Sequence, residues 1–109
     1  METRLRLALV RAGLPMPVLQ HCIQDRSGIV ARLDLAYVEA RLGIEYDGEC
    51  HLDPDVVRRD LRRQNALRAR GWTLLRFTAD DVLRNTARMV AQVSAASGLP
   101  YLGHLKTVI

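Results

Sequence analysis

Three acidic side chains and a histidine lie close enough along this chain to share one task. Asp34 sits inside Arg32-Leu33-Asp34-Leu35-Ala36-Tyr37, and Glu45 and Asp47 follow in Ile44-Glu45-Tyr46-Asp47-Gly48-Glu49-Cys50-His51. Carboxylates on neighbouring strands offer hard oxygen donors to a divalent cation. Directly after them, residues 56–70 carry Arg58, Arg59, Arg62, Arg63, Arg68 and Arg70 against a single acid, Asp60. Planar guanidinium groups suit the oxygens of a phosphate backbone. A cation site beside a row of phosphate-binding groups points to phosphodiester cleavage.

Each of these readings stands beside a plainer one. Glu45 and Asp47 could simply decorate a solvent-facing strand, which explains Asp47 well. Decoration explains Asp34 poorly, because an acid between Leu33 and Leu35 of a central strand is expected to be half buried. Crowded carboxylates repel and hold on to protons unless a cation neutralises them. Mg2+ or Mn2+ is the expected ion. His51 has an ordinary pKa of about 6.5 and could act as a general acid or base. Mg2+ avoids imidazole, so proton transfer or leaving-group stabilisation is preferred to ligation, with an ordinary loop histidine as the alternative. Arg59, Arg62, Arg63 and Arg70 recur at helical spacing and could grip successive phosphates. The alternative is a solvated face, with Asp55 and Asp60 as partners. His21-Cys22 and Cys50-His51 lack zinc-ligand spacing, and adjacent strand residues point to opposite faces. Trp72 opens an apolar strand and reads as core.

The elements that must position these groups follow from periodicity. Residues 2–12 read as a helix with Leu5, Leu9 and Ala12 on one side, stopped by Gly13 and Pro15. Val18 to Gln24 and Val30 to Val38 read as a hairpin about the turn Asp25-Arg26-Ser27-Gly28. A third strand runs from Leu42 to Asp47. Alternation puts Leu33, Leu35 and Tyr37 on one face with Asp34 on the other, and Leu42, Ile44 and Tyr46 opposite Glu45 and Asp47, so the three carboxylates can converge. A loop over 48–54 leads to a helix from Asp55 to Arg70, with Val57, Leu61 and Leu67 as its buried stripe and Gly71 as its stop. Trp72 to Phe77 is a short strand. Thr78 caps a last helix that runs to Ser97, with the stripe Val82, Thr86, Met89, Val90, Val93 and Ala96. Gly98, Pro100 and Gly103 mark an irregular tail over 98–109. The fold class is α/β (α+β), in the order α-β-β-β-α-β-α, with a mixed sheet flanked by helices.

At 109 residues and 49% hydrophobic content, the chain is one domain able to bury a real core. Its apolar runs are too short to cross a bilayer and no signal-peptide pattern opens it, so the expectation is a cytoplasmic protein without membrane contact. Two cysteines make no disulfide framework. A net charge of +4 permits nucleic-acid binding. All but one of the sixteen basic residues are arginine, a bias that genome composition also produces.

Five stretches, taken in order, resemble the PD-(D/E)xK restriction-endonuclease-like superfamily, and within it an uncharacterised domain family related to the very-short-patch mismatch-repair endonuclease. They are Glu2-Thr3-Arg4-Leu5-Arg6, Arg32-Leu33-Asp34-Leu35-Ala36, Ile44-Glu45-Tyr46-Asp47-Gly48 with His51, Asp60-Leu61-Arg62-Arg63, and Gly71-Trp72-Thr73-Leu74-Leu75-Arg76-Phe77. The resemblance implies a nuclease domain over 1–97 that hydrolyses double-stranded DNA, with Asp34 as the central metal ligand and Glu45 as the second acid. Asp47 stands where the motif usually has Lys, so the usual water-orienting ammonium is missing. His51, Glu2 on the first helix, or a metal-bound water would then carry that role. The missing Lys also leaves room for a second function: a catalytically inactive nucleic-acid-binding or toxin–antitoxin/defence interaction module on the same fold. Many nucleases of this fold act as homodimers. Relatives often carry an extra N-terminal segment, so with Met1 abutting the first helix that partner domain is missing or the chain is a fragment.

Overall fold

In a computed structural model, which describes residues 1–48 and 53–101, four strands form one sheet in the order β1-β2-β3-β4. α1 (Glu2–Arg11) leads to β1 (Val18–Asp25), β2 (Gly28–Tyr37) and β3 (Leu42–Tyr46). These three strands pair antiparallel. α2 (Pro54–Ala69) then crosses over to β4 (Thr73–Phe77), which lies parallel to β3. α3 (Ala79–Leu83) and α4 (Thr86–Ser97) close the order. The mixed sheet flanked by helices is the architecture expected from the sequence. Among the described residues, no helix is long and apolar enough to cross a membrane.

Local chemistry sets the corners. The Asp25 carboxylate accepts from the Ser27 amide at 2.8 Å, tightening the β1–β2 turn, and Gly28 supplies the φ of 123° that the turn requires. Asp53 caps α2 by accepting from the Asp55 amide at 2.9 Å, and Pro54 follows in the first turn. Thr78 and Asp81 form a reciprocal capping box at the start of α3.

The sheet has a buried face on each side. Leu35, Tyr37, Leu42, Ile44 and Phe77 pack against Leu5 and Leu9 of α1, Val82 of α3, and Met89, Val90 and Val93 of α4. Ile23, Ala31, Leu33 and Ala36 pack with Leu67 of α2, and Trp72 and Leu74 lie against them. The layers are therefore helix, sheet, helix.

Three expectations need correction. Leu33 does not share a face with Leu35 and Tyr37; it lies on the α2 side. In β1, Gln20 takes a left-handed φ of 49°, and the hairpin ladder skips the Gln20–Asp34 pair, so strict alternation breaks there. Leu33 then fills the space over Gly43, where a Cβ would fall 2.8 Å from its Cδ1. In α2, Val57 and Leu61 are 42% and 52% exposed, and Leu67 alone of the expected stripe is buried. The last helix is two helices. The Asp80 carbonyl accepts from both Arg84 and Asn85, the Asn85 side chain donates to the Asp80 carboxylate, and Thr86 Oγ1 donates to the Val82 carbonyl at 2.6 Å. The Arg84 bond is the last of the α3 ladder, whereas the Asn85 amide reaches back five residues and the side-chain bonds compete with the ladder, which breaks at Arg84 and Asn85.

Candidate active site

Asp34 stands where β2 and β3 part. The strands pair through Leu35–Ile44, Ala36–Gly43 and Tyr37–Leu42, and the next positions along the ladder are Asp34 and Glu45. There the ladder stops, and the Asp34 side chain takes the place of a backbone acceptor: its Oδ2 receives the Tyr46 amide at 3.1 Å. Among the described residues its Oδ1 accepts no hydrogen bond. Burial pushes the Asp34 carboxyl above its ordinary value of 3.8, and the negative charge of Glu2 adds to the rise. The Tyr46 amide and the charge of Arg63 oppose it.

Glu2 arrives from the first turn of α1. Its carboxylate accepts from the Gln20 side chain at 2.7 Å, so the left-handed residue of β1 also steers the acid of α1. Glu2 is exposed, and its charge reaches Asp34.

Glu45 has other partners. Its side chain is 14% exposed and Arg63 grips it with a two-pronged fork: Nη1 donates to Oε1 at 2.9 Å and Nη2 donates to Oε2. Arg63 Nη2 also donates to the Arg32 carbonyl at 3.1 Å. Arg76, paired with Glu45 in the β3–β4 ladder, brings its Nε within 3.7 Å of Oε1. Arg76 in turn donates to both oxygens of Asp60 on α2, through Nη1 at 2.6 Å and through Nη2. Gln64 adds a bond to Asp60 at 3.1 Å. These bonds, Arg76 first, hold the Asp60 carboxyl below its ordinary value of 3.8. Two acids and two arginines thus form a neutral cluster joining β3, α2 and β4.

Asp47 is exposed just past β3, where its amide donates to the Phe77 carbonyl at 2.9 Å and its charge acts on Arg76. Among the described residues, no three acidic, histidine or cysteine side chains gather as an ion-binding group. Glu2 acts on Asp34 by its charge, and Glu45 is turned to Arg63. His51 lies outside the described residues.

The arginines of α2 divide by helical phase. Arg58, Arg59 and Arg62 line a shallow depression with Asp55 on the outer face, and Arg58 pairs with Asp55 at 2.9 Å. Arg63 and Arg70 turn inward instead, Arg63 to Glu45 and Arg70 to Asp25 at 2.7 Å. Arg76 and Gln20 also belong to the site, Arg76 through Asp60 and Glu45 and Gln20 through Glu2. Arg76 has a signal in the sequence, a lone charge inside Leu74-Leu75-Arg76-Phe77. Gln20 has none, because its importance lies in its backbone conformation.

The model of the REase_MTES_1575 family, which is restriction-endonuclease-like, matches residues 21–96. The chain belongs to this family. The match takes in β2, β3, α2 and β4, and so Asp34, Glu45, Asp47, Asp60, Arg63 and Arg76. Two similar proteins come from Mycobacterium tuberculosis strains CDC 1551 / Oshkosh and H37Rv. Each is uncharacterised and 37% identical over 95 residues, which is 86% of this chain and 35% of the relative. An uncharacterised protein of Haemophilus influenzae is 34% identical over 61 residues, 56% of this chain and 50% of that protein. The chain therefore spans about a third of the length of its mycobacterial relatives. No solved structure matches it significantly. Family membership makes this a nuclease-type domain.

Proposed function

We propose that the domain is a metal-dependent endonuclease, similar to the very-short-patch repair enzyme, that hydrolyses phosphodiester bonds of double-stranded DNA. The observation that carries this reading is Asp34. It is a half-buried carboxylate at the parting of two strands, with one oxygen bonded to a backbone amide, the other without a donor among the described residues, and the negative charge of Glu2 acting on it. Such a group gains most from a nearby cation. The donor set is of hard oxygens, and Mg2+ is commonly bound through one or two carboxylates while keeping several waters, so Asp34 with one further acid of Glu45 and Asp47 would suit Mg2+ or Mn2+ without a larger protein cage. The bound ion would polarise the scissile phosphate and make water more acidic.

The other residues take simpler parts. Glu2, held by Gln20, can accept a proton from water near Asp34. His51 is assigned to proton transfer toward the leaving group. Arg59 and Arg62, on the outer face of α2, can neutralise successive phosphates.

One observation favours the second reading, an inactive nucleic-acid-binding or interaction module. Both oxygens of Glu45, the second acid of the site, are already taken by Arg63. The two readings separate in thermal melts with and without Mg2+ or Mn2+, run on the wild type and on Asp34→Asn, followed by nicking assays on matched and mismatched duplexes. The nuclease reading expects a metal-dependent rise in Tm that is lost in Asp34→Asn, together with strand cleavage. No rise at millimolar metal and no cleavage would overturn it in favour of the binding module.

A further inference from the structure

We propose that Arg63 is a displaceable internal counter-ion, which withholds Glu45 from a divalent cation until a nucleic-acid phosphate draws the guanidinium away. This rests on the nuclease reading above and adds a coupling between its two ligands.

The inference begins with the geometry of the fork. Glu45 would ligate a cation through the same oxygen lone pairs that now accept from Arg63 Nη1 and Nη2. Continuing the β2–β3 register places Asp34 opposite Glu45, and the charge of Arg63 is felt by Asp34 as well. One guanidinium therefore compensates the acids that a cation would otherwise neutralise.

Three features make that compensation reversible. A planar guanidinium forks onto phosphate as readily as onto carboxylate. Arg63 is 22% exposed, so its guanidinium is open to solvent at the edge of the cluster and not sealed inside it. The first half of α2 is held to the sheet by charge rather than by apolar burial, since Val57 and Leu61 are exposed and Asp60 pairs with Arg76. When Arg63 leaves, Arg76 remains beside Glu45 at 3.7 Å, and the Asp60–Arg76 pair still joins α2 to β4. The cluster rearranges without coming apart. Phosphate and cation then bind with positive coupling, which is reciprocal by linkage.

The test is Mn2+ affinity, measured by electron paramagnetic resonance of the free ion, with and without a phosphorothioate duplex that resists cleavage. Arg63→Gln should bind Mn2+ roughly tenfold more tightly than the wild type in the absence of DNA, a gain within the usual range of coupling effects. The gain should vanish in Arg63→Gln/Glu45→Gln. The duplex should tighten Mn2+ binding in the wild type by a larger factor than in Arg63→Gln. Equal affinities of wild type and folded Arg63→Gln, with Mn2+ still lost in Asp34→Asn, would sink the counter-ion proposal alone. No Mn2+ binding in any of these proteins would sink the cation site itself. If circular dichroism and Trp72 emission show Arg63→Gln to be unfolded, Arg63→Lys decides. It keeps the charge and loses the fork, so a smaller gain supports the proposal and no gain overturns it.

Discussion

Replacing Asp60 with Ala tests whether charge holds α2 to the sheet. The substitution removes both bonds from Arg76, the bond from Gln64 at 3.1 Å, and the contact with Arg63 at 3.7 Å. It also leaves Arg63 and Arg76 facing Glu45 alone, an excess of one positive charge. Truncating one partner of a fully buried pair costs about 3–5 kcal/mol. The Asp60 and Arg76 side chains are 32% and 30% exposed, so water screens much of the interaction and the expected loss is nearer 1–2 kcal/mol. For a domain of this size that is a fall in Tm of about 5–10 °C. The pH dependence has a definite sign. The folded-state pKa of Asp60 is depressed, so its contribution is present above the ordinary value of 3.8 and is lost as pH falls through the lower folded value. Urea denaturation of wild type and Asp60→Ala should therefore differ by a constant amount between pH 5 and 7, about 1–2 kcal/mol, and begin to converge as pH falls below about 4. Added salt should narrow the gap at neutral pH. A difference that persists undiminished at pH 3 would show that Asp60 acts through packing, and the account of α2 given above would fail.

Asp34→Asn should stabilise the metal-free protein at neutral pH. The folded-state pKa of Asp34 is raised, so its ionised form costs stability above that pKa and nothing well below 3.8; a variant no more stable than wild type at pH 7 contradicts this. Leu67→Ala should lose about 2–5 kcal/mol in chemical denaturation because Leu67 is 1% exposed, whereas Leu61→Ala, at a residue 52% exposed, should stay within about 0.5 kcal/mol of wild type. Equal losses would put Leu61 back in the core. Tyr37 donates to the Pro15 carbonyl at 2.8 Å, and burial pushes its phenol up to about 12. Tyr37→Phe should cost about 1 kcal/mol, and ultraviolet titration of the wild type should lack one tyrosine's ionisation step below pH 11.

The sequence made the order of elements legible because alternation and helical spacing are strong in Leu42–Tyr46 and in the stripe Met89, Val90 and Val93. It made the candidate acids legible as types and positions, Asp34 most clearly, since a charge between two leucines in a central strand has to be accommodated. What escaped was of three kinds. The phase of α2 was ambiguous: Val57 and Leu61 have the spacing of a buried stripe, but Asp60, Arg63 and Gln64 face the sheet because Glu45 and Arg76 wait there. The side of the sheet that Leu33 occupies goes with a break in alternation opposite the left-handed Gln20, a local conformation that no composition rule marks. The partner of Glu45 lies eighteen residues away on another element, and a long-range ion pair leaves no trace in periodicity.

The β1–β2 hairpin has a further consequence, for the order in which the molecule assembles. Its strands pair almost end to end across a tight turn, yet only Leu35, Ala36 and Tyr37 of β2 reach β3. A hairpin of this kind closes in microseconds, whereas the parallel β3–β4 pair must wait for the chain to travel through α2. The bond from Tyr46 to Asp34 belongs to the early part, because β3 follows β2 through a short turn and pairs with it antiparallel. A nascent chain with its hairpins made and its crossover still open is expected to carry Asp34 already bonded to Tyr46 but Glu45 without Arg63, so the charge balance of the site is completed only when α2 and β4 dock.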